Sequence, residues 1–226
     1  MNSFFTYLAI AETVNKPLWY ESIFSWFNRL AVMDLVWLCL GVFAIIFFLP
    51  AAIKSHKKTL VAWKSAANEL GLEGKDKKRL ITGKVESKEG KQSIECKIHT
   101  YTVSHGKSSS TYTKFEAKFS QPFDLDLKIY SEGSFRKVTK FFGAQDIQVL
   151  DEEFDKTFIV KGIGGNEMRY ALTPERRAAL LDAYQILPGF KVKDDKVNYT
   201  KTGVVRKTEK LVSTMRVLID LAREMS

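Results

Sequence analysis

The feature that most constrains this chain is an uncharged apolar stretch of 19 residues, residues 35–53, which ends against lysines. At 1.5 Å of rise per residue, a helix of this length spans roughly 28 Å, about the thickness of a bilayer's hydrocarbon core. A core helix of a soluble protein normally carries a polar stripe, and this stretch has none on any face. The sequence therefore predicts one transmembrane helix over residues 33–53.

The residues around the stretch predict whether the helix is cleaved off and how it is oriented in the membrane. The first residues carry no early Lys or Arg, and the apolar centre comes too late for a cleavable secretion signal, so we expect the helix to be retained. Lys54, Lys57 and Lys58 follow it directly, whereas Asp34 offsets the nearest preceding basic residue, Arg29. Because basic flanks stay cytoplasmic, the sequence predicts a single-pass protein of a bacterial inner membrane, with its N-terminus outside and its large C-terminal part in the cytoplasm.

Residues 1–32 are predicted to form an N-terminal tail with an interfacial amphipathic helix. Between Trp19 and Leu30, apolar residues recur at three- and four-residue spacing, and Trp and Tyr are favoured at the headgroup level. Such a helix could lie in the headgroup plane. Alternatively, residues 19–53 could provide a contact surface for another membrane protein, and both alternatives stay open.

The net charge of +9 is unevenly distributed. The membrane-proximal basic residues are Lys54, Lys57, Lys58, Lys75, Lys77, Lys78 and Arg79. Basic residues beside an anchor are attracted to anionic headgroups, so the expected partner is the lipid bilayer. The same residues, with Lys201, Arg206 and Lys207, could instead meet nucleic acid, but the sequence contains no aromatic-plus-basic RNA motif and disfavours that partner. A solvated basic face is the third alternative.

Beyond the anchor the pattern predicts a stalk and one domain. Helical spacing from Leu60 to Leu70, ended by Gly71, predicts a basic juxtamembrane stalk helix over residues 54–74. Residues 75–226 are predicted to form a cytosolic α+β domain with a mostly antiparallel sheet and two amphipathic helices packed on it. The predicted strands are 79–87, 92–105, 110–120, 125–132, 140–150 and 154–162, followed by a helix over 172–189, a hairpin over 190–205 and a helix over 207–225.

Three motifs that could carry chemistry fail on spacing. GKS at 106–108 lacks the earlier glycine of a phosphate-binding loop, and KGIGGNE at 161–167 lacks dinucleotide-loop spacing, so each is predicted to be a turn. Cys96 and His99 are three residues apart on a predicted strand and point to opposite faces. The sequence therefore predicts no metal site and no cofactor, and it predicts that Cys96 is a buried reduced thiol.

An acidic segment, residues 151–155, is the one place where an acid–base pair could be drawn. Asp151, Glu152 and Glu153 are predicted to lie in a solvated turn between two strands, and Asp155 is predicted to orient that turn by bonding backbone amides. A catalytic pair would require one carboxylate in an apolar pocket. An enzyme is therefore the less favoured interpretation.

The order of these segments resembles a family of uncharacterised bacterial membrane-anchored proteins of unknown function. Members share the motif D-x-x-F-D-x-x-F-x-V-x-G, which stands here as DEEFDKTFIVKG at residues 151–162. The resemblance covers roughly residues 60–225. It points to Asp151, Phe154, Asp155, Phe158 and Gly162 as motif residues with a structural or binding role. It implies a cytosolic module and no particular activity.

Taken together, the sequence predicts a single-pass membrane-anchored protein with a cytosolic binding or scaffolding domain. Two alternatives stay open: a membrane-tethered enzyme that uses the carboxylates of the DEEFD turn, and a basic module that binds nucleic acid or anionic lipid. Neither the ligand nor the oligomeric state follows from the sequence.

Overall fold

A computed structural model describes residues 32–75, 78–86, 93–131 and 147–226. The apolar stretch lies within the first helix, α1 (Val32–Leu70), which contains Pro50. Within these ranges α1 is the one helix long and apolar enough to cross a membrane, and its apolar window is entirely unburied. The tail helix predicted for residues 1–32 lies outside the described residues, except for Val32 at the start of α1.

The chain divides into two compact units between Ser55 and His56. The described part of the first unit is the apolar half of α1. The second unit contains the rest of α1, where Trp63, Ala66 and Ala67 are buried in the core. Residues 56–70, which are predicted from the sequence to form part of a stalk, therefore contribute to the core of the second unit. Gly71 ends α1 with a φ of +66°, a conformation that glycine adopts without strain.

In the part of the chain that the structure describes, the sheet has eight strands, and every pair of neighbours is antiparallel. The strands are β1 (Glu73–Gly74), β2 (Leu80–Glu86), β3 (Ser93–His105), β4 (Ser108–Lys118), β5 (Lys128–Ser131), β6 (Phe158–Lys161), β7 (Lys191–Lys193) and β8 (Lys196–Thr202). Their spatial order is β1-β2-β3-β4-β8-β7-β5-β6. The predicted α+β class with an antiparallel sheet is confirmed.

Among the described residues, the second unit contains four further helices: α2 (Glu152–Thr157), α3 (Gly165–Ala171), α4 (Pro174–Ile186) and α5 (Thr208–Met225). Thr173 caps α4 and Pro174 occupies its first turn, as the sequence predicts. The residues that α5 buries include Leu211, Met215, Leu218, Ala222 and Met225, the predicted apolar stripe. This helix packs on one face of β3, β4 and β8 and contacts α4.

Alternation along the strands puts the core on one face of the sheet. Ile94, Cys96 and Ile98 on β3 are fully buried, and the residues between them are more exposed. Phe115 and Ala117 on β4 face the same side, opposite Ile98 and Cys96. The core therefore lies between this face and the helices, as the period of two in the sequence predicts.

The structure corrects three local predictions. Residues 152–157 form α2 and not a turn or strand, because the Asp151 side chain caps the helix and the acidic residues in its first turn suit the positive end of the helix dipole. The turn predicted at 161–167 leads into α3, with Gly164 at its N-cap position and a φ of +78°. Of the strand predicted over 140–150, residues 147–150 are not in a strand, and residues 140–146 lie outside the described residues.

Candidate functional site

Asp151, the first residue of the DEEFD motif, is engaged on two sides. One carboxylate oxygen, Oδ1, accepts a 3.2 Å hydrogen bond from the backbone N–H of Phe154 and so caps α2. The other, Oδ2, lies 3.2 Å from Nε of Arg177, an ion pair whose N–H direction does not make a hydrogen bond. Asp151 therefore fixes the start of α2 and links it to α4.

Asp155 holds the segment that precedes the helix. Its carboxylate accepts hydrogen bonds from the backbone N–H groups of Val149, at 3.1 Å, and Leu150, at 3.2 Å. The predicted bonding of Asp155 to backbone amides is confirmed. Leu150 has a φ of +65° although it is not glycine, and its side chain is 77% exposed. A strained backbone of this kind persists only where its surroundings hold it.

Two arginines hold the same segment by donating hydrogen bonds to its backbone carbonyl oxygens. Arg177 Nη1 donates to the carbonyl oxygen of Val149 at 3.3 Å, and Arg169 Nε donates to that of Gln148 at 2.9 Å. Together with the Asp155 carboxylate, these bonds satisfy backbone groups that no strand or helix satisfies.

The remaining motif residues belong to the core. The Phe154 and Phe158 rings are buried with their centroids 5.0 Å apart, and Phe158 also contacts Tyr184 and Phe190. A Cβ at Gly162 would touch Cε of Met168 and lie 2.7 Å from the carbonyl oxygen of Leu125. Only glycine leaves room for this approach. The five motif residues are thus brought together by helix capping and packing.

The motif carboxylates do not line the groove that the second unit carries between α4 and α5. That groove is bordered by Ala183, Ile186 and Leu221 and by the carboxylates of Asp182 and Asp220. The carboxylates of Asp151 and Asp155 are both committed to backbone amides. This arrangement supports a structural role for the motif.

The predicted membrane-proximal basic residues do not form one patch. Lys54, Lys57 and Lys58 are exposed on α1. Lys75, Lys78 and Arg79 follow the other end of this helix, where the backbone N–H of Lys75 bonds the carbonyl of Leu80. Lys57 and Leu70 are 13 positions apart, which corresponds to roughly 20 Å of helix. Lys77 lies outside the described residues.

A second basic segment, between β8 and α5, lies against α1. Trp63 Nε1 donates a 2.8 Å hydrogen bond to the carbonyl of Val205, and Thr208 Oγ1 donates to that of Ala62 at 3.2 Å. Residues 206 and 207, both basic, lie between these two contacts. The sequence offers Arg206 and Lys207 as part of a nucleic-acid surface in one alternative, and no prediction from it joins the flanking residues Val205 and Thr208 to α1. The sequence does contain one indication of this contact. Trp63 lies at a core position, and a buried Trp side chain needs a hydrogen-bond partner for its N–H.

The histidine and cysteine side chains on β3 are separated as predicted. Burial raises the pKa of the Cys96 thiol to about 12. His99 lies on the opposite face, where Nδ1 is 3.9 Å from Oε2 of Glu116, and burial lowers its pKa despite this carboxylate. Within the described ranges, no three His, Cys, Asp or Glu side chains are grouped so that they could hold a metal ion.

These features define an α+β protein in which, among the described residues, one helix is long and apolar enough to anchor it in a membrane. No family model and no curated protein matches the chain, so the family resemblance of the motif stays a prediction. Among solved structures, the chain is similar to the crystal structure of the mycobacterial trehalose monomycolate transport factor A, TtfA. The identity is 9%, the alignment covers 74% of this chain and 95% of that chain, and the TM-score is 0.38.

Proposed function

We propose that this protein is a single-pass bacterial inner-membrane protein whose cytosolic α+β domain is a binding or scaffolding module. The observation that carries the proposal is α1, on which every apolar side chain described between Val36 and Ile53 is exposed. A soluble protein would have to leave this surface in water at a cost of about 25 cal/mol per Å². Lipid tails remove the cost.

The orientation is supported by charge. Lys54, Lys57 and Lys58 follow the apolar half of α1 and are exposed, so the positive-inside rule favours a cytoplasmic second unit. The commitment of Asp151 and Asp155 to backbone bonds supports a binding module over an enzyme that uses those carboxylates.

Extraction of envelopes with alkaline carbonate tests the anchor. The full chain should stay in the membrane pellet, whereas Ile45→Arg with Phe48→Arg should move a large fraction into the supernatant, because an Arg in mid-bilayer costs about 2.5–3.5 kcal/mol. The matched control is Tyr170→Arg with Ile186→Arg, two exposed apolar residues of the second unit, which should stay in the pellet. Release of the unaltered chain would contradict the proposal.

Orientation is tested separately with fusions at the C-terminus. Alkaline phosphatase should be inactive there and a green fluorescent protein should be bright, because the first matures only outside the cytoplasm and the second only inside. The opposite pair of results would reverse the topology and leave the anchor intact.

A further inference from the structure

Two segments that carry exposed basic residues, one on α1 and one between β8 and α5, are joined near the start of the second unit. Lys57 and Lys58 are exposed on α1, and the next residue, Thr59, is buried. Arg206 and Lys207 are exposed between β8 and α5. All four belong to the unit that begins at His56.

Two hydrogen bonds, one buried and one half-buried, hold the two basic segments close together. The bonds from Trp63 to Val205 and from Thr208 to Ala62 join the two segments. Lys58 precedes Ala62 by four residues, which is one helical turn or roughly 6 Å. Arg206 is the neighbour of Val205, so the four cations lie within about two helical turns of one another along α1.

A further pair of cations extends this group. Lys210, in the first turn of α5, lies near enough to Lys201, on β8, to lower the pKa of Lys201. Two ammonium groups this close repel each other. An anion placed between them would remove that repulsion.

The surrounding acidic residues leave this group uncompensated. Within the described ranges, Lys57, Lys58, Lys201, Arg206, Lys207 and Lys210 form no ion pair. Glu69, further along α1, is paired with Arg216 at 3.2 Å. Glu209 is exposed beside Lys210 and is the acidic residue in the first turn of α5. Six cations and one nearby unpaired carboxylate leave a strongly positive surface.

We propose that Lys57, Lys58, Arg206, Lys207 and the Lys201–Lys210 pair form one surface that binds the phosphate groups of anionic lipids. The inference rests on the proposed membrane anchor. Lys57 and Lys58 follow the apolar stretch by only four and five residues in the sequence, so headgroups are always the nearest polyanion. Ammonium and guanidinium groups bind phosphate by charge-assisted hydrogen bonds. The cations of the β8–α5 segment thus add to those at the start of the second unit.

The proposal is tested on the full chain in detergent by native mass spectrometry, which gives the affinity of the first bound lipid. Phosphatidylglycerol should bind more tightly than phosphatidylcholine with the same tails. Each well-placed cation near a phosphate contributes about fivefold, so Arg206→Gln with Lys207→Gln should weaken phosphatidylglycerol binding about 30-fold and leave phosphatidylcholine unchanged.

The matched control is Lys84→Gln with Lys193→Gln. Both lysines are exposed and, within the described ranges, form no ion pair, and the strand register puts them at the end of the sheet opposite Gly203. This variant removes the same charge and should bind phosphatidylglycerol like the unaltered chain. Lys107 is unsuitable as a control, because it lies at the tip of the β3–β4 hairpin. Near that tip the backbone N–H of Gly203, close to Arg206, donates to the carbonyl oxygen of Thr111. Equal unfolding midpoints for both variants show that the fold is retained.

Three results would overturn the inference: equal affinity for the two lipids, equal loss in test and control variants, or a single-stranded RNA that binds more tightly than phosphatidylglycerol and is lost with Arg206 and Lys207. The carbonate extraction separates these from failure of the anchor. If the chain stays in the pellet but shows no lipid preference, only the inference of a lipid-binding surface is contradicted. If carbonate releases the chain, the proposed function is contradicted.

Discussion

Trp63 and Val205, 142 positions apart, are joined by a 2.8 Å hydrogen bond from the indole Nε1 to the backbone carbonyl. Trp63 is 2% exposed, and Val205 is also buried. Val205 in turn donates its backbone N–H to the hydroxyl of Thr113 on β4 at 3.0 Å. Because of this relay, α1 is attached to the central sheet by directional bonds as well as by packing.

Trp63→Phe should lower the free energy of unfolding by about 1–3 kcal/mol, because it leaves the buried Val205 carbonyl without its donor. The measurement is urea unfolding of the full chain in detergent, followed by circular dichroism. Trp37→Phe is the control, since Trp37 is 68% exposed on the apolar half of α1, and it should change stability by less than about 0.5 kcal/mol. Equal effects of the two substitutions would mean that the hydrogen bond contributes nothing.

Asp155→Ala should cost about 2 kcal/mol of stability, because two backbone N–H groups lose a charged acceptor and Leu150 loses the contact that holds its positive φ. Asp155→Asn retains one acceptor oxygen and should lose less. Glu153→Ala, an exposed carboxylate of the same helix, should be nearly neutral in the same urea unfolding experiment. A neutral Asp155→Ala would contradict the structural role and reopen the enzymatic alternative.

Gly162→Ala should cost about 1–3 kcal/mol, because the added methyl group has to displace Met168 and the Leu125 carbonyl. Gly165→Ala tests the specificity of this effect. A Cβ at Gly165, in the first turn of α3, meets nothing within 4 Å, so this change should be neutral or stabilising by up to about 1 kcal/mol. The unfolding midpoints of the two variants give the comparison directly.

Cys96 should make stability fall as the pH rises above about 9. Its thiol ionises near 9.0 in a model peptide and near 12 when buried, so between these values the unfolded chain loses a proton that the folded chain keeps. The free energy of unfolding should then decrease by at most about 1.4 kcal/mol per pH unit. Cys96→Ala should lack this part of the slope. Identical slopes for the two proteins between pH 9 and pH 11 would show that the thiol is not protected by the fold.

The sequence predicts well those helices and strands whose defining pattern lies within a short run of consecutive residues. The Thr173-Pro174 start of α4, the stripe from Leu211 to Met225 and the alternation of Ile94, Cys96 and Ile98 each depend on neighbours in sequence. The prediction for residues 151–157 was wrong for a physical reason. Phe154 and Phe158 are four residues apart, which puts them on one face of either a helix or a strand. The Asp151 cap decides between the two.

By itself, the sequence determined that one stretch of 19 uncharged residues needs an apolar environment and that an antiparallel sheet follows it, because hydrophobic periodicity and short connections are properties of contiguous residues. Only the tertiary structure decided that β8 lies beside β4, that Trp63 meets Val205, and that Thr208 bonds Ala62. These pairings join residues more than 75 positions apart in the sequence. Their partners are selected by the shape of the core and by backbone groups that must be satisfied, and no local pattern carries that information.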